Sequence, residues 1–116
     1  MARRTTDSQF RARWRILSMD AWGKEFIDLV GPGFIEFDDH GGGEMRFGAV
    51  HLSLDCRSVV EPDRSRLEFT FEGFDEGDAV SGRGWAELEG KTVTGHIYIH
   101  NGDDSGFTAK KARGQV

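Results

Sequence analysis

The most regular feature of this 116-residue chain is an alternation of apolar and polar side chains with a period of two, the pattern of a strand that keeps one face in a core. Between 49 and 57, Val50, Leu52, Leu54 and Cys56 share one face while His51, Ser53, Asp55 and Arg57 share the other. Between 67 and 72, Leu67, Phe69 and Phe71 oppose Glu68, Thr70 and Glu72. Between 92 and 100, Val93, Gly95, Ile97 and Ile99 oppose Thr92, Thr94, His96, Tyr98 and His100. Each reads as a half-buried strand. Shorter strands are expected at 13–19 around Trp14, 33–38, 44–48, 84–89 and 106–110.

Turn residues punctuate these runs. Gly41-Gly42-Gly43 and Glu89-Gly90 supply positive φ at low steric cost, and Glu61-Pro62-Asp63-Arg64 reads as a further turn. Neither proline, Pro32 or Pro62, falls inside an expected strand. Strands that follow one another through short turns make an antiparallel meander. One segment departs from the period of two: Trp22, Phe26, Leu29 and Val30 recur at i, i+4, i+7 and i+8, Asp20 is placed to cap the start, and Gly31-Pro32 ends the run. This predicts a short amphipathic helix near residues 20–30, held to two or three turns because Gly23 weakens its start.

The expected fold is therefore mainly β: a small antiparallel meander barrel or strongly curved sheet of about 7–8 strands, with one short helix. An open meander would expose two strand edges, which favours the closed barrel. Closure would set the first strand beside the last. The length fits one domain, read as a basic N-terminal tail at 1–12, a β domain at 13–110 and a C-terminal tail at 111–116.

Charge sharpens the consequence of closure. The chain carries a net charge of −5, yet residues 1–15 hold five arginines against Asp7, a balance of +4. Lys110, Lys111 and Arg113 add +3 at the other end, leaving −12 on residues 16–109. Closure would thus gather the two basic ends. The acidic body would repel a phosphate backbone, so nucleic acid is disfavoured as a partner unless both ends act as one patch. No run approaches the roughly 18 apolar residues of a membrane helix, and the start MARRTTDSQF has no apolar stretch behind its arginines. The expectation is a cytoplasmic protein with no membrane partner. The single cysteine, Cys56, sits on an inward row and reads as a small core hydrophobe.

Trp14-Arg15-Ile16, followed by a helix and a β meander, resembles the opening of calycin-type barrels, the lipocalins and fatty-acid-binding proteins. A more specific set is Phe26-Ile27-Asp28-Leu29, Leu54-Asp55-Cys56-Arg57, Gly82-Arg83-Gly84-Trp85-Ala86 and Ile99-His100-Asn101-Gly102-Asp103-Asp104-Ser105, together with Phe71-Glu72-Gly73-Phe74-Asp75-Glu76. It resembles a family of small bacterial cytosolic proteins of unknown function. The first resemblance implies a ligand-binding barrel; the second brings no activity or residue roles with it.

Chemistry-bearing residues are present without a convincing catalytic set. His96, Tyr98 and His100 share a strand face, but residues four apart on a strand stand about 13 Å from one another, too far to hold one zinc ion. A histidine from that strand could be joined by His51 or Asp55. The acidic loops Asp75-Glu76-Asp78 and Asn101-Asp103-Asp104 offer oxygen ligands but lack the EF-hand spacing, and Asp and Asn favour turns in any case. No cofactor or metal is expected. His100, Asp103, Asp104 and Ser105 are the nearest grouping to a triad, without a nucleophile elbow. Gly41-Gly42-Gly43 is not followed by the Lys-Ser or Lys-Thr of a phosphate loop.

The densest aromatic and charged segment runs from Gly73 to Trp85 and reads as a long hairpin loop, in which Arg83 pairs with Asp75 or Asp78 or grips an anion. The expected function is a non-catalytic binding module for a protein partner or a small apolar ligand. It would act through one barrel mouth, the helix and this loop, with Trp22, Phe74, Asp75, Asp78, Arg83, Trp85, His100 and Asp104 as binding residues. Two rivals stand beside it: a small hydrolase or isomerase using His96 or His100 with Asp55 or Asp104, and nucleic-acid contact through the basic termini. A drug-sized cavity of about 300 Å³ or more would favour ligand binding.

Overall fold

A computed structural model of the chain describes residues 7–60 and 65–112; the turn expected at Glu61–Arg64 and the outer parts of both tails lie outside them. Eight strands close into one barrel in sequence order. They are β1 (Ala12–Met19), β2 (Phe34–Phe37), β3 (Gly42–Phe47), β4 (Val50–Val60), β5 (Ser65–Asp75), β6 (Asp78–Glu89), β7 (Thr92–Ile99) and β8 (Asp104–Lys111), with α1 (Lys24–Ile27) between β1 and β2. Every neighbouring pair is antiparallel, and β1 against β8 closes the ring with Trp14 opposite Lys111 and Arg15 opposite Lys110. The closed meander is thus present as the alternation implied, and among the described residues it brings Arg15 to Lys110.

The inward rows are the apolar rows of the sequence. Leu52, Leu67, Ile97, Val93, Ile35 and Met45 are fully buried, and burying a side chain of that size stabilises the fold by about 1.5–3 kcal/mol relative to leaving it in water. Phenylalanine rings fill the axis because the residues facing them are glycines. Phe71 lies opposite Gly82, Phe69 opposite Gly84 and Phe107 opposite Gly95, and a Cβ at each of these glycines would come within 2.6–2.8 Å of the ring. Aromatic rings close both ends. Phe10 packs edge-on against Phe37 with centroids 5.8 Å apart before β1 begins, while Trp22 lies 4.9 Å from Phe47 and stacks on Phe26 beyond the end of β1.

The helix is a single turn, shorter than the periodicity implied. Its first turn is preceded by Gly23, which has no side-chain cap, and Asp20 instead accepts the Gly106 N–H at 3.1 Å. Leu29 and Val30, placed on the buried helical face by spacing alone, are each 68% exposed. The segment from 73 to 85 also departs from expectation. It is no loop: β5 and β6 run as paired strands up to Asp75 opposite Asp78, turning on Glu76 (φ 51°) and Gly77 (φ 89°). Likewise Gly42 and Gly43 belong to β3, and Gly41 (φ 82°) makes the turn before it.

Candidate functional site

Because side chains fill the barrel, the concavities described here open on its outer wall. One of them, about 690 Å³, lies over the seam of β8, β1, β2 and β3. The period of two puts it there: with Trp14 and Ile16 inward, Arg13 and Arg15 must point outward, and Lys110 and Arg46 take the equivalent outer positions on β8 and β3. Lys111 and Ala112 complete that side. The opposite bank is Val30, Gly31 and Pro32 from the segment after α1, with Leu17 and Phe34 as further apolar surface. Five cationic side chains line the groove, and none of the described residues lining it is acidic.

Ion pairs beside the groove hold its walls. Arg13 donates from Nε and Nη2 to Glu36 Oε1 at 2.9 and 2.8 Å while its guanidinium carbon sits 3.9 Å over the Phe34 ring. Asp28 anchors the bank: Oδ1 accepts the Gly33 N–H at 2.8 Å, and Oδ2 meets Lys24 Nζ at 2.7 Å and Arg15 Nη2 at 3.0 Å. The Gly33 N–H, followed by the Lys24 and Arg15 donors, holds the Asp28 carboxyl down at about 2, below the usual 3.8. Arg15 Nε is enclosed and has no hydrogen-bond partner. The guanidinium is thus positioned by Asp28 with one donor unused.

The eight binding residues expected from sequence do not converge. Phe74, Asp75 and Asp78 do meet, at the tip of the β5–β6 hairpin, where Phe74 is 59% exposed. Trp22 is half-buried in the aromatic cap at one barrel end. Arg83 and Trp85 stand on the outer face of β6. There Arg83 lies 4.8 Å over Tyr98 and Trp85 is covered by Arg66 at 4.4 Å. The pairing of Arg83 with Asp75 or Asp78 does not form, since five residues of extended strand between 78 and 83 span about 17 Å. His100 lines an outer concavity with Ser81 and Glu72. Asp104 Oδ2 accepts from His96 Nε2 at 2.6 Å in the tautomer that carries its proton there, and the His96 ring stacks on Tyr98.

That His96–Asp104 pair is the strongest remnant of a catalytic grouping. Ser105, the hydroxyl nearest it in sequence, lies on the other face of β8. It is buried, donates to the Gly106 carbonyl at 2.8 Å and accepts the Ala21 N–H at 3.0 Å. His51 engages Glu44 at 2.7 Å and Arg46 at 3.3 Å, and does not join His96 or His100. No cluster of three or more metal-ligating side chains occurs among the described residues.

Sequence reasoning missed the groove residues as a site. The signal was available in two parts, the outward parity of Arg13 and Arg15 around Trp14 and the expected closure of the barrel, but Arg46 and the Val30–Pro32 bank could be added only by the three-dimensional arrangement. No helix among the described residues is long and apolar enough to cross a membrane. No family model, curated protein or solved structure matches this chain.

Proposed function

We propose that this chain is a non-catalytic binding module whose site is the cationic groove on the outer barrel wall, and that it takes a partner combining an anionic group with an apolar surface. The observation that carries this reading is the direct opposition of Arg15 and Lys110 across the seam. Like charges facing one another in a cross-strand pair destabilise a sheet, and an arrangement that costs stability is what a functional site leaves behind. Magnitudes decide why the partner needs both features. Exposed ion pairs contribute only about 0.2–1 kcal/mol each, so several of them hold a partner weakly. Exposed Leu17 and Val30 add about 25 cal/mol for each Å² of apolar area covered.

A calycin-type affiliation and a bacterial cytosolic setting belong to the same proposal. The eight-stranded meander closed around a packed axis supports the first, and a single buried cysteine suits a reducing compartment. Relative to the calycin expectation, the ligand moves from the barrel mouth to the outer wall, because the mouths are occupied by Phe10, Phe37, Trp22 and Phe47. Nucleic-acid contact is the second reading, favoured by the gathering of Arg13, Arg15, Lys110 and Lys111 on one wall and opposed by the scarcity there of exposed rings for bases to stack on.

Laurate, which joins a carboxylate to an apolar chain, is a suitable probe. Calorimetric titration is expected to show binding to the native chain and a loss of about tenfold or more in the Arg46→Glu/Lys110→Glu variant. Equal binding to both proteins would overturn the reading. Binding of single-stranded DNA in preference to laurate would replace it with the nucleic-acid alternative.

A further inference from the structure

The groove has an opposite number on the same molecule. At the tip of the β5–β6 hairpin, Asp75, Glu76 and Asp78 are exposed around the turn and Phe74 presents its ring to solvent at 59% exposure. Period two places Phe71 inward and Phe74 outward, so the fold makes no use of that ring; a large exposed aromatic among carboxylates is the composition of a docking anchor. The tip is also only half paired. β6 bonds to β7 from Gly82 onward, so Asp78, Ala79 and Val80 pair with β5 alone and offer an open strand edge.

We propose that the groove over the β8–β1–β2–β3 wall receives the acidic β5–β6 hairpin of a second copy of this chain. The inference rests on the groove reading above and names its occupant. Three carboxylates and one ring meet an apolar bank and five cations, two of which, Arg13 and Arg15, also pair with Glu36 and Asp28, so the two unexplained exposures, Phe74 on one side and Val30 with Leu17 on the other, are covered by one contact. The hairpin cannot reach its own groove, because β5 and β6 lie diametrically across the barrel from β1 and β2, the strands at the groove's centre. The contact is therefore between molecules. Joining two different patches, it is heterologous, and copies would add head to tail into rings or short open chains. The charges are solvent-facing, which makes the association salt-sensitive at separations beyond about 8 Å in physiological salt.

The test is sedimentation velocity on the full chain over a range of concentrations at low ionic strength, with laurate titration of the same samples. The weight-average sedimentation coefficient of the native chain is expected to rise with concentration and to fall when salt is added. Two charge-reversed proteins separate the surfaces: Asp75→Lys/Asp78→Lys on the hairpin and Lys110→Glu/Lys111→Glu on the groove. Each alone is expected to associate about tenfold or more weakly. Mixed together they should associate again, since the reversed hairpin of one now complements the reversed groove of the other. Phe74→Ser, at an exposed position, should weaken association without changing the melting temperature.

A native chain that stays monomeric at every concentration while still binding laurate overturns the self-docking proposal and leaves the groove reading intact. Failure of both measurements removes both. Association that survives the two reversals, or that the mixture does not restore, also overturns it. So does cosedimentation of a monomeric native chain with phosphatidylserine vesicles, which would assign the groove to a lipid surface.

Discussion

Arg15 and Lys110 stand directly opposite one another where β1 meets β8, two cations in a single cross-strand pair. Asp28 compensates the first of them at 3.0 Å, and the groove keeps the second. Replacing Lys110 with glutamate turns a repulsive pair into an attractive one, worth about 0.2–1 kcal/mol in a sheet. Lys110→Glu is therefore expected to raise the melting temperature by roughly 1–4 °C and, in the same protein, to weaken laurate binding. Thermal melting and calorimetry check the two halves. A residue whose role was only structural would move both in one direction.

Asp28 makes the groove's bank sensitive to acid. Its carboxyl is held at about 2 in the folded chain against 3.8 for the free side chain, so the folded state binds this proton less readily than the unfolded state. A depressed carboxylate stabilises above its unfolded value and ceases to do so as pH falls through its folded one. At about 1.4 kcal/mol for each unit of pKa difference the full shift would be worth about 2–3 kcal/mol; solvent screening of these partly exposed charges brings its contribution down to about 1–2 kcal/mol, complete at neutral pH and lost between about pH 4 and 2. Asp28→Asn should cost a similar amount at pH 7 and flatten that part of the stability profile, measured by urea unfolding. Because Asp28 Oδ2 also ties this bank to Arg15 and Lys24, and an amide can keep the Gly33 N–H but not those two donors, the same variant should loosen Val30–Pro32 and weaken laurate binding.

Much of the fold was legible because its alternation is local. The row Val50, Leu52, Leu54 and Cys56 needs no partner to declare which face it buries, and edge avoidance then implies closure. The β5–β6 hairpin was misread because the inward positions on β6 are Val80, Gly82, Gly84 and Ala86: the facing Phe69 and Phe71 supply the bulk, so β6 itself shows little alternation. The helix was overextended for a related reason. Leu29 and Val30 continue the helical spacing, but the Asp28 carboxylate reaches forward to the Gly33 N–H, a local loop contact that redirects the chain and leaves both side chains in water. The groove was legible only in part: closure and the outward parity of Arg13 and Arg15 follow from the alternation, whereas Arg46 and the Val30–Pro32 bank join them only in three dimensions.

Trp22 was expected to contact a ligand, and the structure gives it a packing role. It covers Phe47 and stacks on Phe26, sealing one barrel end while remaining half-buried. Truncating a fully buried Trp costs about 3–5 kcal/mol, so Trp22→Ala should cost somewhat less, about 2–3 kcal/mol. Laurate affinity should stay within about twofold of native, since Trp22 does not line the groove. Denaturant unfolding and calorimetry on one preparation test both statements, and a large loss of affinity would return Trp22 to the binding site.

Gly95 tests how the axis is filled. A Cβ there would meet the Trp85 carbonyl oxygen at 2.2 Å and the Phe107 ring at 2.6 Å. The ring can shift at the expense of its packing; the carbonyl belongs to a paired strand and cannot. Gly95→Ala is therefore expected to destabilise the barrel by about 1–3 kcal/mol, the usual range for overpacking. Adding Phe107→Leu removes the edge of the ring and leaves the backbone clash, so the double variant should recover only part of the deficit that the two single variants sum to. Full additivity of the two losses in urea unfolding would show that ring and glycine are energetically independent, and the packing of phenylalanine over glycine would then not be what fills this barrel.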